Sequence, residues 1–187
     1  MFAYCLNNPV CMADYNGCDA IYVIDYEENR GLPVVGHSIV FLQDTDGVWH
    51  KTQYAGVFPD KSTATIELYT ADMTEIESMI NGDEIENIEY LYISGDFSNS
   101  LAYAEKHSGT NYGGYDLLKN NCFHYARDTL LEGTFDDVVD YAALTRYTGN
   151  IPAQSYDYLV NSRKLAAVMN EIRGALEDAW NAITSWF

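Results

Sequence analysis

The chain predicts an α+β fold: a small antiparallel β-sheet, a cysteine-bearing helix packed on it, and a C-terminal helical extension. Three observations carry this. Short β-branched and aromatic runs alternate with turn residues in the first half, most clearly around Asp44-Thr45-Asp46-Gly47. After Asn120 and Asn121, the residues Phe123, Ala126 and Leu130 recur at separations of three and four, as one apolar helical face does. Beyond Tyr156 the apolar residues Leu165, Val168, Met169, Ile172, Leu176, Ala179, Trp180, Ile183 and Phe187 keep helical spacing to the end of the chain.

In order, Asn-Pro and Asn-Gly pairs make residues 1–17 rich in turns, with Val10–Ala13 short enough for an edge strand. Ala20–Asp25 reads as a buried strand and Tyr26–Pro33 as an acidic loop. Gly36–Gln43 and Val48–Tyr54 flank the hairpin turn, the second placing Val48, His50, Thr52 and Tyr54 on one face. Ser62–Tyr69 alternates as a further strand, Asp72–Ile80 is helical, and Ile88–Ile93 returns to strand. Ser98–His107 predicts a short helix, and Gly109–Gly114 a loop leading to the cysteine. A helix after Gly133 would bury Phe135, Val138, Val139 and Ala142, and Gly149–Pro152 breaks it. The last stripe is expected to pack on the domain.

With 187 residues, 48% hydrophobic and 20% charged, the composition is that of one globular domain with a proper core. Ten basic against 28 acidic residues give a formal charge of −18. That excludes a phosphate-gripping nucleic-acid binder, which needs Lys and Arg, and disfavours anionic membranes. No apolar run is long enough for a transmembrane helix, and the N-terminus lacks the pattern of a signal peptide. Cys5, Cys11 and Cys18 crowd the first eighteen residues without a Cys-x-x-Cys pair or a histidine cluster, so neither a metal nor a cofactor is expected.

Cys122 is different. Behind an Asn cap it falls in the first turn of a helix, where unpaired N–H groups and the dipole favour thiolate over thiol. A thiolate nucleophile needs a base within hydrogen-bond reach and a third group to orient the base. Of the four histidines, His37 opens a strand directly after Gly36 and is the best base. His50, on the return strand of the same hairpin, is expected to face it and hold its tautomer, with Gln53 or Thr52 as substitutes. His124 points to the far side of the helix from Cys122, and His107 is expected to face solvent.

Two resemblances extend this reading. Tyr4, Asn7, Asn8, Pro9, Val10, Asp14 and Gly17 resemble the closing signature of the core of RHS/YD-repeat proteins, with Tyr15 in place of the usual proline. In that family a variable effector follows the signature, often a toxin. The resemblance implies delivery as part of a larger bacterial protein, with residues 1–17 as its remnant. Separately, Gly36-His37, the later His50 and Asn121-Cys122-Phe123-His124-Tyr125 resemble the circularly permuted NlpC/P60-related, papain-like fold. Lecithin:retinol acyltransferase-like proteins and PPPDE peptidases belong to it. This second resemblance spans about Ile21 to Leu131 and implies Cys122 as nucleophile, His37 as base and His50 as third polar residue. It departs at Phe123, where the acyltransferase branch carries an acidic residue.

Together these predict a thiol hydrolase in three parts: residues 1–17, a catalytic domain over 18–133, and a helical extension over 134–187. The expected substrates are a peptide, peptidoglycan or protein amide, and an immunity protein would be the neutralising partner. The Cys122 N–H and the Asn121 side chain are the expected oxyanion donors. An acyltransferase and a catalytically inactive binding module are the alternatives.

Overall fold

A computed structural model describes residues 18–26, 36–55, 63–116 and 119–184. The residues that carry the RHS-like signature lie outside these. The strands are Ala20–Asp25 (β1), His37–Gln43 (β2), Trp49–Ala55 (β3) and Thr65–Thr70 (β4), then helix Met73–Asn81 (α1) and strand Ile88–Ile93 (β5). Gly95–Asp96 (β6), Ser98–His107 (α2), Cys122–Leu131 (α3), Thr134–Phe135 (β7), Val138–Arg146 (α4) and Pro152–Thr184 (α5) follow.

The fold is α+β, built on a five-stranded antiparallel sheet in the order β4-β3-β2-β1-β5. The most continuously apolar strands, β1 and β2, lie inside it because both of their faces are covered. Tyr22, Ile24, Val40 and Leu42 face a core closed by Phe123, Ala126 and Leu130 of α3, with Ala143, Leu144 and Leu159 behind. Ile21, Val23, Ile39 and Phe41 face Trp49 and the α1 residues Ile76 and Met79. The sheet is thus sandwiched, and α3 lies against β2 and β3.

Two expectations fail after Gly133. A two-stranded ribbon of β6 and β7 precedes α4, so Phe135 is in a strand. The face that α4 buries is Asp140, Ala143 and Leu144, while Val138 is exposed. Apolar spacing alone cannot reveal that Asp140 turns inward, because its burial depends on a cation from elsewhere. Arg163 supplies it: Nε and Nη2 donate to the two Asp140 carboxylate oxygens at 2.7 and 2.6 Å, and Nη2 also donates to the Tyr92 carbonyl at 2.7 Å.

That fork fastens the base of α5, together with buried Ser155 and Leu159. The expectation that the whole C-terminal stripe packs on the domain is overturned beyond it. From Lys164 onward every described side chain except Ala166 and Gly174 is exposed. Among the described residues, no helix is long and apolar enough to cross a membrane.

Candidate active site

Cys122 is the first residue of α3, and Asn121 caps the helix. Asn121 Oδ1 accepts from the Phe123 and His124 N–H groups at 3.0 and 3.2 Å, and the Asn121 N–H donates back to His124 Nδ1 at 3.3 Å. This reciprocal box fixes the first turn. It also corrects one expected role. Asn121 Nδ2 donates to the Asn150 carbonyl at 2.7 Å, so both ends of the amide are engaged in tying the helix start to the chain before α5. The Asn121 side chain is not placed as an oxyanion donor. Burial holds the His124 ring below its usual histidine pKa, which suits its role as an acceptor in the cap.

The strand that brings His37 is preceded by Gly36 at φ 64°, a left-handed conformation. A Cβ there would lie 2.4 Å from Ile24 Cγ2, so only glycine lets β2 start this close to β1. His37 follows at once, 8% exposed, against Cys122 at 3%. The Ser38 N–H donates to Cys122 Sγ at 3.5 Å. Burial, the largest single influence, pushes the Cys122 thiol up, and the His37 charge and hydrogen bond oppose it. With the Ser38 N–H and the Tyr115 hydroxyl they leave the thiol below its ordinary pKa.

The third residue is Gln53, not His50. Its Oε1 lies 3.1 Å from His37 Nε2, and its Nε2 donates to Glu67 Oε2 on β4 at 2.8 Å. The carboxylate can only accept, so the amide is turned with its oxygen towards the imidazole. That oxygen can accept only from a protonated Nε2, which leaves Nδ1 as the basic nitrogen for Cys122.

The register explains why His50 is elsewhere. Ile39 pairs with Gln53 and Leu42 with His50, so His50 sits five residues along β2 from His37, about 17 Å at strand rise. It also lies on the opposite sheet face, because side chains alternate. Its ring instead pairs with Asp44 at 2.9 Å, at the hairpin turn. Thr52, the other substitute, bonds the Tyr125 hydroxyl at 2.7 Å and the Glu67 carbonyl at 2.9 Å.

Tyr115 and Glu67 were not foreseen. The Tyr115 hydroxyl is in hydrogen-bonding range of both Cys122 Sγ and the Cys122 N–H, and burial raises its own pKa further than the thiolate does. Asn120 Nδ2 holds its loop by donating to the Tyr112 and Gly114 carbonyls at 2.6 and 2.8 Å. The Tyr115 ring packs on Tyr54 at 5.2 Å, and Tyr54 on Tyr112 at 5.7 Å. The one signal available in sequence was the concentration of tyrosines in this loop. His107, expected in solvent, is half-buried against Tyr103 and Tyr112, with ring centroids 4.4 and 5.5 Å away.

Family models, curated proteins and solved structures offer no match to this chain. The site is therefore read from its own geometry. Among the described residues, no three His, Cys, Asp or Glu side chains are grouped to hold a metal. What is assembled is a thiol with a lowered pKa, a histidine beside it, an oriented amide behind the histidine, and a hydroxyl next to sulfur and backbone N–H.

Proposed function

We propose that the chain is a thiol hydrolase of amide bonds, acting through an acyl-enzyme on Cys122. The observation that carries this is the His37 ring, held between Cys122 and Gln53 with its tautomer set by Glu67. His37 Nδ1 takes the proton from Cys122 Sγ, and sulfur attacks the carbonyl carbon. The oxyanion meets the Cys122 N–H and the Tyr115 hydroxyl, two donors beside the nucleophile. When the C–N bond breaks, the proton on His37 passes to the leaving amine. His37 then takes a proton from water, hydroxide attacks the thioester, and the carboxylic acid leaves as the thiol is restored.

Support for antagonism of another cell comes from the RHS-like start, which fits a toxic C-terminal effector within a larger bacterial protein. Its substrate would be a peptidoglycan peptide or a cellular protein, and its neutralising partner an immunity protein. The chain is to be expressed in the bacterial cytoplasm and, separately, with an export signal, each beside Cys122→Ala. Growth arrest that Cys122→Ala removes is expected. Arrest only after export identifies peptidoglycan, and arrest in the cytoplasm identifies a protein substrate. Arrest that survives Cys122→Ala overturns the cysteine mechanism.

A further inference from the structure

Helix α5 leaves the body at Arg163 and continues to Thr184, a projection of about 30 Å at 1.5 Å per residue. Along it Leu165, Val168, Met169, Ile172 and Leu176 form a single stripe and are each between 49% and 66% exposed. A helix this long gains little from backbone bonding alone in water, and its stability in proteins comes from burying such a stripe. An exposed apolar band of this extent marks an interaction surface.

Charge selects the occupant. Residues 164–187 contribute only −1 to the formal −18, with Lys164 and Arg173 against Glu171, Glu177 and Asp178, leaving −17 on the rest of the chain. The projection can approach another acidic molecule without strong repulsion. That body charge also opposes docking on an anionic bilayer. We infer that the stripe pairs with the same stripe of a second copy, in antiparallel orientation.

Orientation follows from the bodies. A parallel pair would crowd two charges of −17 at one end of the helices. An antiparallel pair puts them at opposite ends, about 30 Å apart, beyond a Debye length of about 8 Å at physiological salt. The stripe's edge agrees. Lys164, Glu171 and Asp178 follow one another at seven-residue spacing along one side. With the two-fold axis at the level of Glu171, Lys164 of each copy stands level with Asp178 of the other. Val168 then lies beside the second copy's Leu176, and Ile172 near its own counterpart. Glu171 faces its own copy, one repulsive contact against two attractive ones.

Sedimentation of the whole chain over a concentration series tests this independently of any enzymatic activity. The expected species has twice the mass of the chain. Leu176→Asp and Ile172→Asp are expected to leave it monomeric with the body of the domain intact, read by unaltered Cys122 alkylation. Glu171→Gln relieves the central repulsion and tightens the dimer by about twofold to fivefold, whereas Lys164→Glu loosens it. In a parallel pair Glu171 would face Arg173 of the other chain, so weakening by Glu171→Gln overturns the orientation. A monomer at every concentration, or a dimer indifferent to Leu176→Asp, overturns the surface. Binding of the monomer to neutral phosphatidylcholine vesicles would assign the stripe to lipid instead.

Discussion

The hairpin of β2 and β3 carries a histidine near each end, and the two ends have been put to different uses. At the open end His37 is buried among Cys122, Gln53 and Ser38, with Glu67 behind Gln53. At the turn end His50 meets Asp44, whose Oδ1 also accepts the Asp46 and Val48 N–H groups at 2.9 and 2.8 Å. The same imidazole stands beside a thiol in one place and clasps a turn in the other. Exposure and the chemistry of the neighbours make the difference: an amide and a thiol leave one nitrogen basic, whereas a half-buried carboxylate holds the other ring by a hydrogen bond at the turn.

Exchanging the histidines for alanine breaks this contrast most sharply. His37→Ala is expected to lower turnover by about 10² to 10⁴, the range for losing a general base. It also removes what holds the Cys122 thiol down. In the wild type the iodoacetamide rate of Cys122 holds as pH falls below about 8.5, the ordinary thiol value, and declines only at the lower Cys122 pKa. In His37→Ala that decline moves to higher pH, while His50→Ala leaves the profile unchanged. Equal labelling of Cys122 and Cys5 at neutral pH would remove the premise.

Next in size is Tyr115→Phe. Losing one oxyanion donor is worth about 10² to 10³ in turnover, and the hydroxyl also helps lower the thiol pKa. The variant keeps its ring on Tyr54, so thermal unfolding should change little while turnover falls. A variant as active as the wild type would take Tyr115 out of the chemistry.

Gln53→Ala removes one hydrogen bond from the imidazole and should cost about fivefold, from a net bond worth about 1 kcal/mol. Glu67→Gln lets the Gln53 amide turn over and should cost less. Both are to be read as a fall in turnover with little change in KM, because neither residue is placed to touch the substrate. An unchanged pH profile in Gln53→Ala would show that the amide does not set the tautomer.

Asp44→Asn gives the smallest effect and belongs entirely to the turn. The His50 hydrogen bond is the largest influence holding the Asp44 carboxyl below the usual range. A lowered carboxyl pKa stabilises the fold above the unfolded value of about 3.9, and that contribution is lost as pH falls through the folded value. For a pair this exposed the whole effect is about 0.5 kcal/mol after screening. Chemical unfolding at pH 7 and at pH 3 should show a smaller deficit for the variant at the lower pH, with Cys122 reactivity untouched.

The third residue of the site shows where sequence reading stops. His50 and Gln53 are both polar, lie on the same strand and are three positions apart. Only the register, Ile39 opposite Gln53, decides which one shares a face with His37. A shift of one residue would have reversed every face. Tyr115 was hidden for a related reason, since its place depends on a loop held by Asn120 from the far side of the turn. The exposed half of α5 was equally unreadable, because periodicity reports a stripe without saying what covers it.

By itself the sequence determined most of the elements and several of their termini. Asn121 before Cys122, Gly36 before His37 and the Asp44–Gly47 turn are local conformational preferences, and they act wherever the chain goes. It therefore also determined that a cysteine would head a helix and a histidine would open a strand. Tertiary structure alone decided which side chains those two would meet: Gln53, with Glu67 behind it, through the register of three strands, and Tyr115 through a loop. Those pairings depend on distances between segments remote in sequence, and such distances are set by packing the whole core at once.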